Sequence, residues 1–148
     1  MSEEKSTFSL LLSRLAEIEE KCASFYINTS TQVEPEFKDF FLIFAQQHEK
    51  TKNEIERAKV ESLVEFALEP IPDLGINEQL KKVKDLIQEK NNLSIQKAIT
   101  IEKEISKLIE EISNKIGHMS ADASQVLSIA QKRASRRIKV LEHYVKEN

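Results

Sequence analysis

Residues 11–26, LLSRLAEIEEKCASFY, decide how this chain folds. Apolar side chains recur there at spacings of three and four residues, which is the pattern of one buried helix face. The recurring positions are Leu11, Leu15, Ile18, Cys22 and Phe25. Leu12, Glu19 and Tyr26 follow one another at intervals of seven residues beside that stripe. The carboxylate of Glu19 is therefore expected to face the interior, where it is costly unless a positive group meets it.

A matching arrangement occurs in the second half of the chain. Residues 98–105, AITIEKEI, place Glu102 on an apolar stripe, with Ile101 before it as Ile18 precedes Glu19. The stripe consists of Ile95, Ala98, Glu102, Ile105, Ile109, Ile112 and Ile116. The two halves therefore look like a duplicated helix hairpin.

Four long amphipathic helices are predicted, at about residues 6–29, 34–62, 93–116 and 120–144. The second helix would bury Phe37, Phe41, Phe44, His48, Thr51, Ile55 and Ala58. The fourth helix, capped by Ser120 or Asp122, would bury Val126, Ala130, Ala134, Arg137, Ile138, Leu141 and Tyr144. Gly117 is expected to follow the C-terminus of the third helix.

The connections between these helices predict the topology. Short turns join the first helix to the second and the third to the fourth, so each pair is antiparallel. The middle connection spans roughly 30 residues, and its prolines and Gly75 exclude a continuous helix. It carries a short helix capped by Asn77, with Leu80, Val83 and Ile87 facing inward. We therefore expect residues 1–148 to form one all-α domain, a ferritin-like antiparallel four-helix bundle with a long crossover.

Composition narrows the classes of function. The net charge of -3 does not favour nucleic-acid binding, and the basic run at residues 132–139 is interpreted mainly as a solvated face. No apolar run approaches the ~20 residues of a membrane span, and the polar N-terminus does not resemble a secretory signal, so a cytoplasmic location is expected. The single cysteine, Cys22, excludes an internal disulfide and a cysteine-based metal site within one chain.

Three segments carry a resemblance to a known family: residues 19–26, EEKCASFY, residues 98–104 and residues 44–51. They resemble the rubrerythrin branch of the ferritin-like superfamily, and residues 19–26 are similar to that family's Glu followed seven residues later by Tyr. Residues 98–104, AITIEKE, and 44–51, FAQQHEKT, look like its third and second helices. The resemblance covers nearly the whole chain. It implies a bundle in which two helices each supply a Glu, and the other two each supply Glu-x-x-His, to a pair of iron ions.

The chain departs from that ligand pattern at most positions. Glu19 and Glu102 match the two single glutamates, whereas His48 stands at a ligand Glu and Thr51 at a ligand His. One alignment of the fourth helix puts Ala134 and Arg137 at its ligand positions, and the other puts Arg133 and Arg136 there. The family's Tyr in the third helix is Ile109 here. Neither alignment supplies a Glu or a His, so the family's iron chemistry cannot be carried over.

The resulting hypothesis is that a buried charge cluster has replaced the diiron centre. It would contain Glu19, His48, Glu102, Arg137 and Tyr26, with Arg133 taking the place of Arg137 in the other alignment. No cofactor would be needed, and the protein would be a non-catalytic structural or protein-interaction module, one that could pair as a homodimer.

Two alternatives remain open at this point. The first is an oxidoreductase that binds iron or another divalent metal through Glu19, His48 and Glu102, with Glu49 as a further donor. The second is a helical adaptor unrelated to diiron proteins. Metal content separates the first alternative from the cluster hypothesis, and the helix arrangement separates both from the second.

Overall fold

The chain is all-α, as the sequence predicts. The computed structural model describes residues 6–61, 70–71, 75–89 and 94–147. Its helices are α1 (Phe8–Ser30), α2 (Pro35–Glu61), α3 (Ile76–Gln88), α4 (Ile95–Ile116) and α5 (Ala121–Glu147). A 3₁₀ turn at Gly117–Met119 joins α4 to α5, and β1 (Ser6–Thr7) pairs antiparallel with β2 (Pro70–Ile71). None of the helices in the described part of the chain is long and apolar enough to cross a membrane.

Helix α1 begins at Phe8, directly after its N-cap residue, Thr7. The hydroxyl of Thr7 accepts a hydrogen bond from the backbone N–H of Leu10 at 3.1 Å, which satisfies one donor of the first turn. Helix α2 begins at Pro35, because proline has no N–H to leave unpaired in a first turn. The predicted start of the third long helix at Leu93, and the predicted crossover segments 63–69 and 72–74, lie outside the described residues.

The predicted cap of α3 is wrong. Asn77 lies inside the helix, where its side-chain oxygen accepts a hydrogen bond from Arg14 of α1. The N-cap is Gly75, whose φ of 87° lies in the left-handed region that glycine adopts without steric strain. The inward positions of α3, Leu80, Val83 and Ile87, are buried as predicted.

Of the two caps left open for α5, Ser120 takes the role. Its hydroxyl accepts a hydrogen bond from the backbone N–H of Ala123 at 3.2 Å, whereas Asp122 lies within the first turn. Gly117 caps α4 with a φ of -58°, so the chain continues right-handed into the 3₁₀ turn.

The helices pack as two antiparallel pairs. Helix α1 packs against α2 and α4 packs against α5, while α2 and α5 bring the two pairs together. Helix α3 lies against α1 and α4. The direction within the first pair is fixed by Tyr26 meeting Phe41 near the turn and Lys59 bonding Ser13 at the far end.

The buried stripe of α2 matches the prediction, but that of α5 is rotated. All seven predicted positions of α2 are buried. In α5, Val126, Ile138 and Tyr144 are only partly buried, and the stripe instead includes Ala123 and Leu127. Spacings of four and three from Ala123 lead to Arg137 and Leu141, so this small rotation keeps Arg137 inward. Each fully buried large apolar side chain contributes about 1.5–3 kcal/mol relative to exposure.

Candidate functional site

Four long helices each bring one charged side chain to the centre of the molecule. Glu19 comes from α1, His48 from α2, Glu102 from α4 and Arg137 from α5, and all four are no more than 1% exposed. Tyr26, two turns after Glu19 on α1, is completely buried beside them. We call these five residues the buried charge cluster. An ion buried to this extent needs close partners, because its desolvation costs several kcal/mol.

One carboxylate oxygen holds most of the cluster together. Oε2 of Glu102 accepts hydrogen bonds from Tyr26 Oη at 2.6 Å, from His48 Nε2 at 2.8 Å and from Arg137 Nε at 2.9 Å. The three donors come from α1, α2 and α5, so a single oxygen on α4 links all four long helices. Hydrogen bonds to an ionised group are stronger than neutral ones, which favours this convergence.

His48 lies between two carboxylates. Its Nδ1 is 2.7 Å from Oε2 of Glu19, and its Nε2 is 2.8 Å from Oε2 of Glu102. A carboxylate oxygen can only accept, so both ring nitrogens must carry a proton for both bonds to form. The geometry therefore favours the imidazolium form.

The electrostatics agree with this protonation state. Burial lowers the pKa of His48 and so does the Arg137 charge, but the charges of Glu102 and Glu19 and the bond to Glu102 outweigh them, so that the pKa is raised. Burial raises the pKa of Glu102, yet the charges of Arg137 and His48 and the bonds from His48 and Tyr26 bring it down to about 2. Burial lowers the pKa of Arg137, and the charges of Glu102 and Glu19 more than compensate, so it is raised.

With His48 protonated, two carboxylates face one imidazolium and one guanidinium, so the formal charges cancel. This balance lets the ions stay buried, although the net stabilisation from such a cluster is small because desolvation offsets the attraction.

The ring of Tyr26 fixes the plane of the imidazole. It stacks on His48 with ring centroids 5.5 Å apart and an interplanar angle of 19°. Phe41 and Phe44 meet the same Tyr26 ring edge-on, at 5.1 Å and 5.5 Å. Burial and the nearby Glu102 charge raise the pKa of the Tyr26 hydroxyl well above its usual value, so it stays protonated and donates.

The structure distinguishes the two candidate arginines. Arg137 enters the cluster, whereas Arg133 lies at its edge, where it donates to Thr51 Oγ1 at 2.9 Å and forms a forked ion pair with Glu54. Glu49, proposed as a further donor, has a side chain that is half exposed and lies near Lys52 instead.

Sequence reasoning missed Gln47. Its side-chain oxygen accepts a hydrogen bond from Nη1 of Arg137 at 3.0 Å. The only signal in the sequence was its place directly before His48, on the flank of the α2 stripe. A glutamine that faces solvent could occupy the same place.

Three polar atoms of the cluster are buried without a hydrogen-bond partner among the described residues. They are Oε1 of Glu19, Oε1 of Glu102 and Nη2 of Arg137. The thiol of Cys22 is also fully buried, and burial together with the Glu19 and Glu102 charges raises its pKa well above the usual value. Cys22 is therefore an inert thiol in the folded protein.

The donor set does not fit a pair of metal ions. Both nitrogens of His48 are engaged by carboxylates, and the guanidinium of Arg137 lies against the Glu102 oxygen that a metal would need. The other positions that the resemblance assigns to ligands, Thr51 and Ala134, are buried but supply neither carboxylate nor imidazole. Across residues 6–61, 70–71, 75–89 and 94–147, no group of three or more His, Cys, Asp or Glu side chains is placed to hold a metal.

Comparisons with other proteins leave the family open. No family model, curated protein or solved structure matches this chain. A functional assignment therefore depends on the buried charge cluster and on the surface.

Proposed function

We propose that this chain is a rubrerythrin-like, ferritin-fold protein that has lost its diiron centre and works as a non-catalytic structural or protein-interaction module. In this proposal the four long helices form a ferritin-like four-helix bundle, and residues 62–94 include its crossover. The two antiparallel pairs, and the matched glutamates on α1 and α4, support this arrangement.

The observation that carries the proposal is the contact between Arg137 and Glu102 at the centre of the cluster, with Arg137 Nε 2.9 Å from Oε2 of Glu102. In one of the two alignments of the fourth helix, the resemblance puts residue 137 at a metal-ligand position. A guanidinium there supplies fixed positive charge and five N–H donors, which satisfy the carboxylates without a metal. A cation that is part of the chain has no open coordination position for a substrate, so it gives no route to oxygen or peroxide chemistry.

The experiment is metal analysis of the protein purified under iron-replete conditions, followed by aerobic addition of ferrous iron. We expect a metal stoichiometry near zero and no new absorption band in the ultraviolet or visible range. The double variant Ala134→Glu with Arg137→His is the matched control, because it restores Glu-x-x-His on α5 and should raise iron binding.

A different result would identify the alternative. Iron bound near one equivalent by the unmodified chain, and lost in Glu19→Gln or Glu102→Gln, would support the metal-binding oxidoreductase with a reduced ligand set. The homodimer is a separate proposal, which light scattering coupled to size-exclusion chromatography tests directly.

A further inference from the structure

The solvent face of α5 carries an unusual line of positive charge. We call this set the basic stripe, and it consists of Lys132, Arg136, Lys139 and Lys146, all exposed. Successive members are separated by four, three and seven residues. At 3.6 residues and 5.4 Å per turn, this spacing keeps them within an arc of roughly 80° over roughly 21 Å. The stripe lies opposite the face of α5 that contacts the core.

No close ion pair within the described chain neutralises this charge. Lys132, Arg136, Lys139 and Lys146 form no ion pair with any described residue. Residues 123–141 contain no Asp or Glu, and the first carboxylate after them, Glu142, pairs with Lys103 of α4. Like charges three or four residues apart destabilise a helix by a few tenths of a kcal/mol per pair, so the stripe has a cost.

The helix dipole does not account for the stripe. Positive charge is favourable near a helix C-terminus, but that effect falls off within the last turn. Lys146 lies in the last turn of α5, whereas Lys132 lies about four turns earlier. Contact with a partner molecule is a role for the stripe that does not depend on the helix dipole.

We infer that the basic stripe binds an acidic helix of a partner protein, one whose Asp and Glu side chains recur at spacings of three and four residues. Positions at alternating spacings of three and four lie along one face of a helix, so carboxylates placed in this way on a partner helix would face the stripe along its whole length. Opposite charges arranged in this way set the partner and its orientation.

The neighbouring surface suits an approaching helix. A groove of about 590 Å³ runs between α4 and α5, and Lys132 lines it together with four serines and one carboxylate, that of Glu110. These serines are Ser106, Ser113, Ser128 and Ser135. Small side chains let a second backbone come close. The overall charge of -3 favours an acidic protein segment of limited length over a nucleic acid, because a long polyanion would be repelled by the rest of the surface.

This inference rests on the proposed protein-interaction role, but its test has a separate readout. The probe is a synthetic helical peptide of about three heptads with glutamates at alternating spacings of three and four, labelled with fluorescein. Anisotropy would measure its affinity for the full chain at low salt. The stripe variant is Lys132→Glu, Arg136→Glu and Lys139→Glu. The matched control is Lys38→Glu, Lys50→Glu and Arg57→Glu, three exposed residues of α2 that give the same change of charge.

The expected result is binding that weakens about tenfold or more in the stripe variant and less than about twofold in the control. A peptide with the same composition in scrambled order should bind more weakly. Absence of binding, equal loss in both variants, equal binding of the scrambled peptide, or tighter binding of an oligothymidine of matched charge would each overturn the inference. Circular dichroism establishes that both variants fold. Iron binding by the unmodified chain would contradict the proposed function and leave this binding result standing, so the two failures are distinguishable.

Discussion

The two oxygens of Glu102 have very different surroundings. Oε2 accepts three hydrogen bonds, from Tyr26, His48 and Arg137, while Oε1 has no partner among the described residues. Because of this asymmetry, the positively charged groups of the core converge on one carboxylate oxygen. It also makes the arginine the partner whose loss matters most, because Tyr26 is neutral and His48 is shared with Glu19.

Arg137→Ala should destabilise the protein by about 3–5 kcal/mol, because it leaves an uncompensated buried carboxylate. Arg133→Ala is the matched control, and we expect a loss of roughly 1 kcal/mol, since Arg133 is 17% exposed and its ion pair with Glu54 is partly solvated. Urea denaturation followed by circular dichroism measures both free energies of unfolding. Equal losses in the two variants, or no loss in Arg137→Ala, would contradict a structural role for the central guanidinium.

At this scale the sequence predicted positions better than partners. Helical spacing was enough to direct Glu19, His48 and Glu102 inward, and the structure buries all three. The apolar stripe of the fourth helix favoured Arg137, but Arg133 stayed open as an alternative, because the choice depends on how far that helix is rotated. Gln47 was missed for a similar reason, since its partner is 90 residues away and only packing brings them together.

At the scale of whole elements, the two glycines have opposite roles. Gly75 caps α3 with a φ of 87°, while Gly117 has a right-handed φ of -58°. A methyl group at Gly75 would meet no atom within 4 Å, so only backbone strain opposes it. At Gly117 the nearest atom to that methyl would be the hydroxyl oxygen of Ser113, at 3.4 Å.

Gly75→Ala should therefore destabilise the protein by about 1–2 kcal/mol, the cost of a left-handed residue with a side chain. Gly117→Ala should stabilise it by about 0.4–1 kcal/mol, because it restricts the unfolded chain and fits the native backbone. Thermal or urea unfolding of the two variants measures the difference. A destabilised Gly117→Ala together with an unchanged Gly75→Ala would show that the caps are assigned incorrectly.

The long helices were predictable because each carries a largely apolar stripe that recurs over about four turns or more. Their ends were less so, since a cap depends on one side chain or one φ angle. Asn77 is a favourable capping residue by type, yet the chain turns two residues earlier at Gly75 and leaves Asn77 to bond Arg14. The pairing of Ser6–Thr7 with Pro70–Ile71 joins segments far apart in sequence, and short segments of this kind carry no periodic signal.

At the scale of the whole molecule, the buried charge cluster makes stability depend on pH in both directions. Glu102 has a folded pKa of about 2, below its ordinary 4.5, so its contribution is present above about pH 4.5 and is lost as the pH falls towards 2. His48 has a folded pKa raised above 6.5, so its contribution is present below that value and is lost as the pH rises through the folded pKa.

We therefore expect the contribution of the cluster to stability to be largest between about pH 4.5 and 6.5. His48→Gln should remove the decline above pH 6.5, and the matched control His118→Gln, at an exposed position, should keep it. Urea unfolding at a series of pH values measures both profiles. A decline on the alkaline side that is identical in His48→Gln would mean that His48 is not the group responsible.

The burial of Cys22 gives the molecule an internal reporter of its own opening. It is the chain's one cysteine, it is 0% exposed, and its raised pKa keeps it a thiol rather than a thiolate. A maleimide or other alkylating reagent can reach that sulfur only when α1 separates from its neighbours. The rate of labelling in native buffer therefore measures how often the folded protein opens around Cys22. The same reaction can compare this opening rate in every variant discussed above.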